Sequence, residues 1–171
     1  MNLKILFFLA VFGLLFASCS SNDDSGDVKL PIFGTYKLVT YTTNPASDIN
    51  NDGTASENQT SETDCHDSSF LTLNDDNTFK GKLTFLELKS DTNGMETQNI
   101  ECFSEGITGT FVLENETVTL SYTFDEVDKT LVLTLVNNQM TSKTMDIDLL
   151  TRDDSNTLVF VDATLILIFE K

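Results

Sequence analysis

Asp48-Ile49-Asn50-Asn51-Asp52-Gly53 is the stretch whose residue types and spacing best suit chemistry. Side-chain oxygens at the first, third and fifth places, followed by glycine at the sixth for a sharp turn, match the opening of a calcium loop. Thr54 would supply a backbone carbonyl at the seventh place. The twelfth place, where such loops carry a bidentate glutamate, holds Gln59; Glu57 and Glu62 are the nearby acids able to stand in. Asp48, Asn50 and Asp52 are thus candidate metal ligands, and calcium is the one cofactor indicated. The same residues equally suit a surface turn whose Asp and Asn side chains accept backbone N–H groups. Both readings are open.

Spacings that serve catalysis are missing. His66 is the single histidine, set beside Cys65 in a polar stretch that reads as an exposed loop. No Gly-x-Ser-x-Gly elbow and no glycine-rich phosphate loop occurs. Carboxylates gather in turn-like segments, where nothing local sets two of them across a sugar bond. The expectation is a protein that is not an enzyme. The chain carries 27 acidic and 10 basic side chains among 171 residues, a net charge of −17. That surface repels phosphate backbones and excludes nucleic acid as a partner. Cations, basic proteins and neutral apolar molecules remain.

Strands must position these residues. In Val118-Thr119-Leu120-Ser121-Tyr122-Thr123-Phe124, apolar and small polar residues alternate, which puts Val118, Leu120, Tyr122 and Phe124 on one face. Thr78 to Phe85 repeats the pattern with Lys80 and Lys82 outward. Further strands are expected at 34–43, 68–74, 108–114, 130–137, 139–149 and 157–169. Turn signals separate them at Asn74-Asp75-Asp76-Asn77, Glu114-Asn115-Glu116, Asn137-Asn138 and Asp153-Asp154-Ser155-Asn156. No window after residue 18 shows a convincing helical period. The fold class is all-β, an antiparallel up-and-down meander of about eight strands. Such a meander closes into a barrel and loses its edges; a two-sheet sandwich has the same periodicity.

The N-terminus reads as an address. The mostly apolar run from Ile5 to Ser18 is shorter than the about 20 residues a membrane-spanning helix needs. One lysine before it and small residues after it fit a secretory signal. Leu15-Phe16-Ala17-Ser18-Cys19, followed by Ser20-Ser21-Asn22-Asp23-Asp24, resembles the lipobox of bacterial lipoproteins. That resemblance implies cleavage before Cys19 and lipidation of its thiol, so that residues 1–18 form the signal peptide. Residues 19–31 then form an acidic tether with no aromatic side chain to bury. The Cys-Ser-Ser-Asn-Asp-Asp opening also resembles the export flag of surface lipoproteins in Bacteroidota-type bacteria. It implies anchoring in the outer membrane with display on the cell surface; a spacer on the periplasmic face is the alternative. Removal of Lys4 would leave 9 basic and 27 acidic residues. With Cys19 spent on lipid, Cys65 and Cys102 remain as a pair. An oxidising compartment favours their disulfide over two buried thiols, worth roughly 3–4 kcal/mol in loop entropy.

The order Gly34-Thr35-Tyr36-Lys37-Leu38, Asp48 to Gly53, Asp64-Cys65, Leu71 to Phe79, Cys102 and Gly109-Thr110-Phe111 resembles the lipocalin-like lipoproteins of Bacteroidota. Tyr36 stands where a lipocalin's Gly-x-Trp has tryptophan. The resemblance covers residues 32–171 and implies one eight-stranded lipocalin-like barrel. Phe79, Leu83, Phe85, Val118, Leu120, Tyr122 and Phe124 are then candidates to line a site for a small apolar or amphipathic ligand. A filled core is their other role. Two functions of different class follow. One is ligand binding in a hollow barrel; the other is a surface interaction module, such as an inhibitor or adhesion accessory, built on a solid one.

Overall fold

The computed structural model describes residues 32–171 apart from 92, 94 and 95. The expected signal peptide, Cys19 and the tether lie outside the described residues. Ten strands follow one another: β1 (Gly34–Ser47), β2 (Ser56–Asn58), β3 (Phe70–Leu73), β4 (Thr78–Ser90), β5 (Glu96–Glu114), β6 (Thr117–Phe124), β7 (Val127–Val136), β8 (Gln139–Ser142), β9 (Met145–Arg152) and β10 (Leu158–Glu170). Two short 3₁₀ turns, Gln59–Ser61 and Asp64–Ser68, separate β2 from β3. The hairpin turns are built on residues in the left-handed region, among them Asn77, Asn115, the pairs Asp125-Glu126 and Asn137-Asn138, and Asn156. Two successive left-handed residues match the right-handed twist of the strands they join. Asp125-Glu126 forms such a turn with neither Asn nor Gly, so residue type gives no turn signal there.

One sheet runs β2-β1-β3-β4-β5-β6-β7-β8-β10-β9, and β1 also pairs antiparallel with β10. The circuit closes through eight strands, with β2 and β9 outside it. The fold is a closed antiparallel barrel, and the sandwich alternative is excluded. The expected strands at 34–43 and from Thr78 to Phe85 run on to Ser47 and Ser90, that at 130–137 is Val127–Val136, and three others differ more. The strand expected at 68–74 starts at Phe70, because a 3₁₀ turn occupies Asp64–Ser68. That at 108–114 is the end of a strand that begins at Glu96. That at 139–149 is divided: β8 meets β10 at Thr141↔Ile168, whereas β9 meets it at Met145↔Leu165. Four steps on one strand therefore oppose three on the other, a bulge that turns the chain.

Tyr36, Leu71, Leu73, Phe79, Val118, Leu120, Leu133, Met140 and Phe169 fill the barrel, each at most 2 % exposed. Tyr36 also satisfies its hydroxyl, which donates to the Ile32 carbonyl at 2.7 Å. Packing is close enough to require glycine at Gly109, whose β4 partner is Phe79. A Cβ there would collide with the Ser121 carbonyl oxygen on β6 and press on the Phe79 ring. A second, smaller cluster of Ile49, Leu150 and Leu158, with Leu86, Leu88 and Ile100 against it, joins the far part of the β4–β5 hairpin to β9 and β10. Gly109→Ala is expected to lower unfolding free energy by about 1–3 kcal/mol, the usual cost of overpacking. Gly106→Ala, which meets nothing within 4 Å, should leave it nearly unchanged; urea unfolding of both proteins checks the pair.

Candidate functional site

The chain between β1 and β3 gathers most of the chemistry-bearing residues. In the loop after β1, Asp48 accepts the backbone N–H of Asp52 at 3.0 Å and of Gly53 at 2.9 Å. Asn50 Oδ1 accepts Asp52 N–H, and Asp52 Oδ1 accepts Thr54 N–H. The three candidate ligands are thus brought into one turn, with oxygens already serving its backbone. Gln59 uses its amide elsewhere. It is buried, accepts from the Ser47 hydroxyl at 2.7 Å and donates to Thr43 Oγ1 at 3.0 Å, which ties the segment to β1. Glu62 comes instead: its Oε2 accepts Ile49 N–H at 3.2 Å. Among the described residues no three His, Cys, Asp or Glu side chains gather as metal ligands. Because its hydrogen bonds close the turn, the loop is expected to hold in chelator. Asp48→Ala should then cost roughly 0.5–2 kcal/mol, as lost caps of N–H groups do. Melting with calcium and with chelator decides the cation: a calcium-dependent rise in the native chain, lost in the Asp48→Ala, Asp52→Ala double variant, would assign it.

Cys65 and Cys102 form the expected disulfide, Cα to Cα 5.4 Å. It ties the 3₁₀ turn to β5. His66 corrects the sequence reading of an exposed loop residue: it is 2 % exposed. Its ring stacks on Tyr41 at 4.1 Å and 17°, and Nδ1 lies 2.9 Å from the Thr84 carbonyl, which requires Nδ1 to carry the proton and donate. The disulfide beside it holds this placement, a contact with β5 that spacing alone does not reveal. Burial pushes the imidazole below its ordinary 6.5, against the Thr84 bond and the Asp67 charge, which raise it. The Tyr41 phenol is pushed up to about 12 by burial. The sign for His66 is definite. Well above pH 6.5 the ring is neutral in folded and unfolded chains alike. Below it the unfolded chain takes the proton first, and stability falls until the lower folded pKa is passed. The stability difference between native protein and His66→Gln should be constant above about pH 7 and move against the native chain in more acid solution. A difference that ignores pH would contradict this burial.

The seven candidate lining residues divide. Phe79, Val118 and Leu120 are buried in the main core cluster. Leu83, Phe85, Tyr122 and Phe124 are half-buried and, with Glu105, Ile107 and Lys129, line an apolar cleft of about 130 Å³. Drug-sized ligands occupy roughly 300–1,000 Å³, so the cleft is a notch. A groove of about 890 Å³ opens elsewhere, where Phe33, Val112 and Val136 stand exposed beside the Asn77, Asn115 and Asn137 turns. Sequence reading missed it because Val112 and Val136 sit on the outward-facing alternates of good strands. Comparison with known protein families, with curated proteins and with solved structures returns no match for this chain.

Proposed function

We propose that this chain is a lipid-anchored protein of the bacterial outer membrane whose barrel presents surfaces to another protein and performs no catalysis. The observation that carries the reading is the packed interior: Phe79, Val118 and Leu120, three of the side chains expected to line a ligand chamber, are buried in the core instead. An apolar groove with Phe33, Val112 and Val136 exposed is the feature expected of an interaction module. His66, stacked and hydrogen-bonded, has no place as a general base. Anchoring rests on the lipobox resemblance at Cys19, and cell-surface display on the acidic stretch after it. Residues 19–31 reach at most roughly 45 Å when fully extended, enough to stand the domain off the bilayer. Kinship with the lipocalin-like lipoproteins and calcium at Asp48, Asn50 and Asp52 belong to the same proposal.

A second reading is favoured by the convergence of Leu83, Phe85, Tyr122 and Phe124 on one cleft: a small apolar ligand held at the notch. Two measurements test the pair. Intact mass of membrane-extracted protein should show acyl mass on a chain starting at Cys19, and Cys19→Ala should leave the membrane fraction. A fluorescent fatty acid should give no saturable one-to-one signal with the native domain. Saturation that disappears in Tyr122→Ala, Phe124→Ala would establish the second reading in place of the first.

A further inference from the structure

We propose that the free edge of β9 accepts an extended strand of a partner protein in which Lys or Arg alternates with apolar residues. This rests on the reading of the domain as an interaction module and names the partner's chemistry.

The edge arises from the bulge between β8 and β9. Lys143 N–H still bonds the Val132 carbonyl on β7 at 3.1 Å. Beyond it the strands part: β7 pairs with β8 only through Leu133–Val136, and β9 pairs with β10 alone among the described residues. The β9 register is unbroken from Met145↔Leu165 to Arg152↔Leu158. Natural edges are blunted by shortness, proline, bulges or charged side chains, lysine above all, and the charges of β9 are Asp146, Asp148 and Arg152. β2, at the other end of the sheet, is three residues long. β9 has eight, Met-Asp-Ile-Asp-Leu-Leu-Thr-Arg, with no proline, lysine or internal bulge.

Charge selects the occupant. Asp146 and Asp148 are exposed on one face of β9, and Asp148 lies directly opposite Asp162 on β10. Like charges in that register destabilise a sheet. None of the three aspartates forms an ion pair with a described residue, and together they line an open cleft of about 520 Å³. A cation at every second position of an added strand would stand beside them. The intervening apolar residues would fall on the face of Met145 and Ile147, which are half-buried at the margin of the core. Backbone pairing supplies affinity in strand addition and the alternate side chains supply selectivity. A second copy of this chain fits poorly, since two β9 edges meeting antiparallel with faces matched set Asp146 against Asp148.

The test uses the full chain, isotope-labelled, and a blocked (Val-Lys)₄ peptide at about 0.15 M salt, where long-range attraction is screened. Expected are saturable chemical-shift changes centred on 145–152 and slower exchange of edge amides there. Asp146→Lys with Asp148→Lys should weaken binding at least about tenfold and confer binding of (Val-Glu)₄, which also shows that the variant is folded. Equal binding by a scrambled peptide of the same composition, or by one N-methylated along its backbone, would reduce the effect to charge attraction and overturn the proposal. Shifts mapped elsewhere, or no binding, would overturn it too. Either failure leaves the interaction-module reading in place, because that reading stands on the filled interior and the separate groove.

Discussion

Closure of the sheet by β1 on β10 is the constraint on which the rest of the domain depends. β1 pairs with β3 through Gly34–Lys37 and with β10 from Lys37 to Asn44, so one strand bonds to both neighbours of the seam. Without that seam the inner faces of eight strands would be one side of an open sheet. The seam contains its own irregularity. Leu38 meets Phe169 and Thr40 meets Ile168, which leaves Val39 as an extra residue. The bulge reverses the alternation: Tyr36 and Leu38 point inward before it, Tyr41 and Thr43 after it. Val39 is turned out to solvent, 39 % exposed. A β1 without this bulge would put the Tyr41 ring outside the barrel and leave His66 without its stacking partner.

From the seam the chain enters the segment between β1 and β3, which is polar and yet buries Gln59, Glu62, His66 and Ser69. Burying such groups is costly unless each finds a partner. Gln59 bonds Ser47 and Thr43, Glu62 bonds Ile49, and His66 bonds Thr84, while Ser68, Thr84 and Ser104 hydroxyls form a chain. The disulfide to Cys102 fastens this network to β5. The segment thereby does the work of wall where β2 and β3 are too short to supply it. Fully satisfied polar networks of this sort favour one arrangement over neighbouring ones.

On the proposed reading, a barrel packed with side chains places recognition on the outside. The inner apolar residues are spent on packing, and among the described residues the surface offers a notch at Leu83, Phe85, Tyr122 and Phe124, a groove bearing Phe33, Val112 and Val136, and the parted wall beside β9. The excess of acidic over basic side chains gives these surfaces a field that repels anions. Rigidity helps in each case, because a preformed surface loses little conformational freedom on binding.

How much of this was legible follows from what is local. Alternation and turn chemistry over short windows determined that the domain is all-β, located its main strands and placed most of the hairpin turns, because burial on one face demands period two and left-handed turns demand Asn or its like. Cysteine count determined the disulfide once the third thiol was assigned elsewhere. The Asx spacing at Asp48 to Gly53 marked a real turn, since those hydrogen bonds join residues two to five apart. Only the tertiary structure decided the rest. Closure over a sandwich, the bulges at Val39 and between β8 and β9, and the burial of His66 depend on partners far along the chain. So does the division of the seven apolar candidates: Val118, Leu120, Tyr122 and Phe124 share one face and one period, yet the first two are sealed in the core and the last two border a cleft. Their difference comes from how far each lies from the end of the barrel, a distance set by all eight strands together and written in no single one.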